Sequence, residues 1–358
     1  MNRHSATSGR DEAWRLAMVV PLQGPGGVFG PSCEAVSRLV VDDLNRAGGV
    51  LGREVCVEII DGGAPPAVVA REVDALITAG RAHAVSGWHI SSVRNALAPV
   101  VAGRAPYAYP ALYEGGETRR DIYCCGETPD GQIAPALRWL RDNAGVRRWF
   151  IVGDDYVWPR SSLAAVRRYA DDLDLQIVGG RFVDLGNAEM AGVVADAVRS
   201  GCDAVLMLLV GQDAVEFNRA CAQLGADREF LRFSPLMDES MLLASGEDGT
   251  RGLFAAASYF RSMVGAGSMD LMQRYRDMHG PAAPPLTGIS ESCYEGPQLL
   301  ARLIHRAGRL RDVSTDDCVA YESPRGTVAF RPDVTEQPVH LAVADGFDFD
   351  VLTTLGRR

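Results

Sequence analysis

Lysine is absent from this chain. All 36 basic residues in its 358 positions are arginine. That excludes Schiff-base chemistry on a lysine amine, and it excludes the lysine of a phosphate-binding loop or a kinase. No apolar run reaches the roughly 20 residues that span a bilayer. The polar stretch from Met1 to Glu12 lacks the apolar segment of a secretory signal, so a cytoplasmic protein is expected. A periplasmic or lipid-anchored one is expected instead if translation starts upstream of Met1. Net charge is −10, and the pairs Arg119-Arg120 and Arg147-Arg148 are too sparse for a basic stripe, so no direct nucleic-acid contact is expected. The six histidines show no H-E-x-x-H spacing and the eight cysteines no C-x-x-C. We therefore expect no metal site and no cofactor. No G-x-S-x-G turn is present, and no catalytic residue is assigned. Cys124 and Cys125 are adjacent. Without a secretory signal they read as reduced, buried thiols.

What is present is globular: 47% hydrophobic and 23% charged residues. The length predicts two domains. A buried first strand at 14–22 is closed by Pro21 and followed by the glycine-rich loop 23–31. The spacing of that loop does not fit a dinucleotide fingerprint. A helix from Ser32 carries Ala35, Val36, Leu39, Val40 and Leu44 at helical intervals. Strand 55–61, helix 66–79 and strand 82–86 come next, alternating with short links as in a parallel doubly wound sheet. The alternation restarts after Pro129 with helix 131–143, strand 148–153, helix 161–172, strand 175–183, helix 188–200 and strand 203–211. Two helices at 268–278 and 287–307, without a strand between them, fit a return to the first sheet. A short strand at 325–333 and a strand pair at 339–344 and 349–352 close the chain.

The segment Gly87-Trp88-His89-Ile90-Ser91-Ser92 leads from a strand into a helix. Gly87 permits a sharp turn, and Ser91 or Ser92 can cap the helix. Helix starts of this kind favour an oxygen or an anion, and strand carboxyl ends are where open α/β sheets bind ligands. The parallel segment Tyr109-Pro110-Ala111 opens at the same edge. Asp154-Asp155 read as turn residues, since adjacent carboxylates project apart. Gln212-Asp213 and Asp238-Glu239 read as helix starts that can also reach a cleft. Glu114 reads either as a lobe-bridging residue or as a solvated loop carboxylate.

These residues resemble the type I periplasmic-binding-protein fold in its Leu/Ile/Val-binding branch. The resemblance rests on Pro21-Leu22-Gln23-Gly24-Pro25, Phe29-Gly30, residues 45–53, the Gly87–Ser91 turn, Ala98-Pro99-Val100, Tyr109-Pro110 and Gly326-Thr327-Val328. Residues 109–115 and 153–160 look like the cytoplasmic amide sensor of aliphatic amidase operons and its urea-binding relatives. The resemblance implies two Rossmann-like α/β lobes joined by three crossovers, with 1–126 plus 256–331 in one and 127–255 plus 332–358 in the other. It implies a ligand in the cleft between them. It matches Ser91 to the family's ligand-binding serine and Ala111 to a backbone contact. It matches Phe29, His89, Tyr109, Tyr156 and Trp158 to the walls. His89 and Trp158 stand where tyrosines are usual, and Ala111 where a hydroxyl residue is. Gln212, Asp238 and Glu239 complete the expected ligand set. The implied function is a cytoplasmic sensor that closes on a neutral amide-like solute such as a short amide or urea. It would act through a partner protein, a response regulator or an antiterminator, and could form a homodimer. One alternative is the solute-binding receptor of an ABC transporter for amides, urea or branched-chain amino acids. The second alternative is an enzyme.

Overall fold

The structure, a computed structural model, describes residues 13–186, 189–313, 317–332 and 334–356. The first half builds one sheet from β1 (Trp14–Val20), β2 (Val55–Asp61), β3 (Ala84–Ser86), β4 (Tyr107–Tyr109) and β5 (Ile122–Cys124). All of its pairings are parallel, in the order β2-β1-β3-β4-β5. In β1 only Arg15 is partly exposed, as befits a strand covered on both faces. The crossover helices are α1 (Gly30–Arg46), α2 (Pro66–Thr78) and α3 (Ser91–Val101).

A second sheet follows the same logic. Helices α4 (Pro129–Ala144), α5 (Val157–Leu173), α6 (Met190–Ser200), α7 (Gln212–Leu224) and α8 (Glu239–Ser245) alternate with β6 (Arg148–Asp154), β7 (Gln176–Val183), β8 (Ala204–Leu208), β9 (Leu231–Ser234) and β10 (Leu253–Ala257). Those strands are parallel to one another. The chain then returns to the first sheet. Helix α9 (Ala266–His279) packs against α1, and α10 (Gly288–Ala307) packs against α1, β3 and β4. An antiparallel trio, β11 (Val319–Ser323), β12 (Gly326–Phe330) and β13 (Thr335–Glu336), comes next. Last, β14 (Val339–Asp345) and β15 (Asp348–Leu355) join the edge of the second sheet antiparallel, giving the order β15-β14-β10-β9-β8-β6-β7.

Several sequence expectations shift. Helix α1 starts at Gly30, two residues before Ser32, and Ser32 donates back to the Phe29 carbonyl instead of capping. Helix α5 starts at Val157, so Trp158 is a buried helical residue and not part of an exposed exit loop. The strand expected at 325–333 is β12, and it gains two antiparallel neighbours not expected from the sequence, β11 and β13. Pairing of β13 with β12 keeps the chain out of the second sheet until after Glu336. Thr335 Oγ1 donates to the Cys124 carbonyl and Gln337 Nε2 to that of Cys125, tying the last crossing to the first. Both Cys124 and Cys125 are buried and unbridged. Among the described residues no helix is long and apolar enough to cross a membrane. The N-terminal segment behind the cytoplasmic expectation lies outside the described residues.

Candidate functional site

The carboxyl ends of the two parallel sheets face each other. The loop after β1 reaches across from the first lobe. A Cβ added at Gly211, in the second lobe, would lie 2.0 Å from the Pro25 carbonyl oxygen, and one at Gly186 would lie 3.0 Å from Pro25 Cγ. The lobes therefore touch, backbone against backbone, and the cleft is closed. Spaces remain between them, including a cavity of about 390 Å³ lined by Tyr113 and Glu114 of the first lobe and Ala165, Arg168 and Tyr169 of the second. Another, about 260 Å³, is lined mainly by Pro21, Pro25, Pro65, Pro66, Trp88 and Val210. A much smaller one lies where the chain crosses, between Trp88, Gln132, Asp238, Tyr259 and Ile289. Trp88 lines these last two, held edge-on by Phe29 at 4.9 Å between ring centroids.

Gly87 shapes the first-lobe edge. Its φ is +113°, and an added Cβ would meet the Val19 carbonyl oxygen at 2.3 Å, so only glycine fits. The chain then places His89 directly beneath the cleft. Nδ1 lies 3.0 Å from the Val19 carbonyl, which can only accept, so the proton sits on Nδ1. Nε2 consequently accepts from the Tyr107 hydroxyl. Tyr109 donates to the His89 carbonyl at 2.7 Å. His89 and Tyr109 are both fully buried, and the hydrogen-bonding capacity of the His89 ring is spent on the protein. His89 is thus a strut of the sheet edge, not the polar wall expected of it. Burial holds its pKa down to about 4; Arg94 adds to this, against the Val19 bond.

That depression has a pH signature. Between its unfolded value of 6.5 and about 4, the unfolded chain takes up a proton on this ring that the folded chain refuses. Stability is expected to fall as pH drops through that window, by roughly 3 kcal/mol in full. Urea denaturation at pH 7 and pH 4.2 should show the loss in wild type and not in His89→Gln. Parallel losses in the two proteins would refute it.

Helix α3 opens with Ser91, but the N-cap position is Ile90 and no side chain caps the helix. The expected capping role of Ser91 or Ser92 is not realised. Instead Ser91 Oγ donates to Glu114 Oε2 at 2.7 Å. Arg94, one turn further on the same face, donates to Glu114 Oε1 at 2.7 Å and lies 3.3 Å from Glu117. Its guanidinium lies against the rings of Tyr109 and Tyr113, 5.1 and 5.2 Å from their centroids. Arg94 is 2% exposed, yet its Nη1 has no hydrogen-bond partner. Glu114 therefore neither spans the lobes nor sits free in solvent; it is held inside the first lobe. Sequence reasoning did not single out Arg94. The signal was a charged residue in line with Leu97, Ala98 and Val101 on the apolar face of the helix.

Tyr156 comes from the second lobe as the residue before α5. Burial pushes its hydroxyl pKa well up, and Asp154, Tyr109 and Glu114 add to the shift, which sets it against the first-lobe cluster. Phe29 and Ala111 are buried at the first-lobe edge. Trp158 is turned into the second lobe's core beside Tyr156. Gln212 does not reach the cleft floor: exposed on α7, it bonds Glu216, and Gly211 holds the N-cap position. Asp213 does not cap α7 either; it accepts from Gly186 N at 2.7 Å. Asp154 is no turn residue. It ends β6 fully buried, accepts from Val210 N, and lies close to Asp213. Burial, then the Asp213 charge, pushes it up to about 9, so the pair holds a proton. These two carboxyls brace the loops that Pro25 rests on. Asp238 caps α8 through Met241 N, and its Oδ2 is left without a partner beside the crossing cavity. Glu239 accepts from Arg261 N, away from Ser91.

A family model described as periplasmic binding protein matches residues 13–343. The chain belongs to this family. Its two-lobed fold is the type I arrangement of the Leu/Ile/Val-binding branch. A solute binding protein of an ABC transporter from Rhodopseudomonas palustris HaA2, in complex with p-hydroxybenzoic acid, superposes with a TM-score of 0.86 at 19% identity, covering 97% of this chain and 98% of that one. A branched-chain amino acid transporter substrate binding protein from Streptococcus pneumoniae, in complex with isoleucine, gives 0.83 at 13% identity over 95% and 99%. A leucine binding protein from Thermotoga maritima gives 0.80 at 16% over 96% and 99%. Identities this low establish the shared fold, not a shared ligand.

Proposed function

We propose that this periplasmic binding protein is a solute-binding receptor that closes its lobes on a small organic molecule and serves an ABC transporter. The observation that carries the reading is the backbone contact of Pro25 with Gly211, which joins the loops at the carboxyl ends of the parallel strands of both lobes. Interdomain clefts of this kind bury small ligands. The transporter role is favoured over the regulatory sensor because the structural relatives are transporter binding proteins. A transport receptor works outside the cytoplasm, unlike the cytoplasmic sensor expected from the sequence. In this reading one lobe holds residues 13–125 and 258–336, and the other holds 126–257 and 337–356.

The finer proposal is a neutral, amide-like ligand. Its support is local charge: the only guanidinium beside Ser91 among the described contacts, Arg94, already faces two carboxylates. A neutral amide brings one carbonyl acceptor and N–H donors, which suits Arg94 Nη1 and Ser91 Oγ. A thermal-shift screen of short amides, urea, benzoate and leucine tests this, since a ligand of the folded state raises its stability. A stabilising solute must also compact the particle in solution scattering; an unchanged profile would sink the closure reading.

Ser91→Ala and Ser91→Gly are both expected to weaken that solute by about 0.5–1.5 kcal/mol, the worth of one neutral hydrogen bond. Neither should show the loss of a helix cap, because Ser91 caps nothing. Wild-type affinity in both variants, read by calorimetry, would remove this side chain from the site.

A further inference from the structure

The contact between Ser91, Arg94 and Glu114 has a consequence for ligand class. A hydroxyl, a guanidinium and a helix start converge on one spot, which is the chemistry that holds a carboxylate. In this chain a carboxylate is already there, and it is the protein's own. Glu114 takes the Ser91 proton with one oxygen and Arg94 Nη2 with the other. The arrangement is built in: Ser91 and Arg94 are 1% and 2% exposed, and the Glu114 side chain retains only 12% of its surface. The rings of Tyr109 and Tyr113, edge to face with each other, both lie against the guanidinium. Glu117 lies against Arg94 Nε, so two carboxylates already face one cation.

The hydrogen-bond inventory then changes sign. A serine hydroxyl has one proton to give and lone pairs to offer. The Ser91 proton is committed to Glu114, so toward a ligand Ser91 can only accept. A ligand carboxylate can only accept as well, and it would meet the charge of Glu114 besides. An amide N–H finds in Ser91 Oγ the acceptor it needs.

We propose that Glu114 is a specificity-determining residue that fills the place of a ligand carboxylate and turns Ser91 into an acceptor, so that the cleft takes neutral N–H-bearing solutes and rejects carboxylates. This deepens the cleft reading above and rests on it. It sets the chain apart from the relatives whose structures hold p-hydroxybenzoic acid or isoleucine.

Acetate and acetamide are nearly identical in shape and differ in charge and donors, so they test the point directly. Each is titrated into wild type, Glu114→Ala and Glu114→Gln, with melting temperature and calorimetry as readouts. Wild type is expected to respond to acetamide and not to acetate. Glu114→Ala should gain acetate binding, with the acetate-to-acetamide affinity ratio rising at least tenfold. Adding Arg94→Met to that variant should abolish the gain. Glu114→Gln, which keeps the side chain's volume, should shift the ratio in the same direction and serves if the alanine variant does not fold. Wild type that takes acetate as well as acetamide, or an affinity ratio unmoved in both variants, overturns the proposal. The cleft reading fails separately, if no solute in the wider screen compacts wild type in scattering. A gain of acetate by Glu114→Ala alongside such a failure would leave the filled anion place standing without the ligand assignment.

Discussion

Gly211→Ala is expected to hold the lobes apart and to cut ligand affinity by about 100-fold or more. The added Cβ would stand 2.0 Å from the Pro25 carbonyl oxygen and 3.3 Å from Gly26 Cα. Both atoms are backbone, so no side-chain rotation relieves the clash, and the first-lobe loop must withdraw. Binding that requires the closed state is weakened by the fraction of molecules still able to close. The substitution also strains the fold, because φ is +49° and ψ −113° at this position. Backbone strain of that kind costs about 1–3 kcal/mol. Gly225→Ala separates the two effects. Its φ is +67° and nothing lies within 4 Å of the added Cβ, so it brings strain without touching the other lobe. Scattering and calorimetry should find Gly211→Ala folded, more extended and weak in binding, and Gly225→Ala closed and near normal in affinity. Equal affinities in the two variants would show that the Pro25 contact does not govern closure.

The second large effect concerns Arg325. It is 2% exposed and donates through Nε to Glu291 Oε2 at 2.9 Å, through Nη1 to Gln337 and through Nη2 to Ser292. It thereby ties α10 to the turn between β11 and β12 and to the last crossing. Glu295 lies close to Glu291 beside it and accepts from Tyr321. Arg325→Met leaves two buried carboxyls without a cation, and breaking a buried pair in this way costs about 3–5 kcal/mol. Burial already pushes Glu291 up to about 8, with Arg325 opposing and Glu295 adding. Without Arg325 its folded pKa rises further. A raised carboxyl loses its stabilising contribution as pH climbs above the unfolded value. The deficit of Arg325→Met should therefore be smallest at pH 4 and begin to grow as pH rises through about 8, the folded value of Glu291. Urea denaturation at both pH values checks the sign, and the double variant Arg325→Met/Glu291→Leu should recover most of the loss. A deficit below about 1 kcal/mol at pH 8 would mean that the network carries little stability.

What the sequence determined by itself is the periodic part of the chain. Alternating apolar runs and amphipathic helices place β1 through β3 and β6 through β8 in order, because a strand buried on both faces must be apolar throughout and a crossover helix must be apolar on one side; the short β9 and β10 were not read from the sequence. Gly87 was legible for the same local reason, since its turn depends on its own φ. The tertiary structure decided everything that depends on partners distant in sequence. His89 looked like a wall residue until Val19, 70 positions away, and Tyr107 took both of its ring nitrogens. Ser91 looked like a cap, but Ile90 holds the N-cap position, and Glu114, 23 positions on, takes the Ser91 proton. Trp158 fell from the cleft wall into the core because α5 starts four residues earlier than its periodicity suggested. Helical spacing records which face of a helix is apolar. It does not record which charge from another loop will be waiting there, and in this protein that charge takes the Ser91 proton.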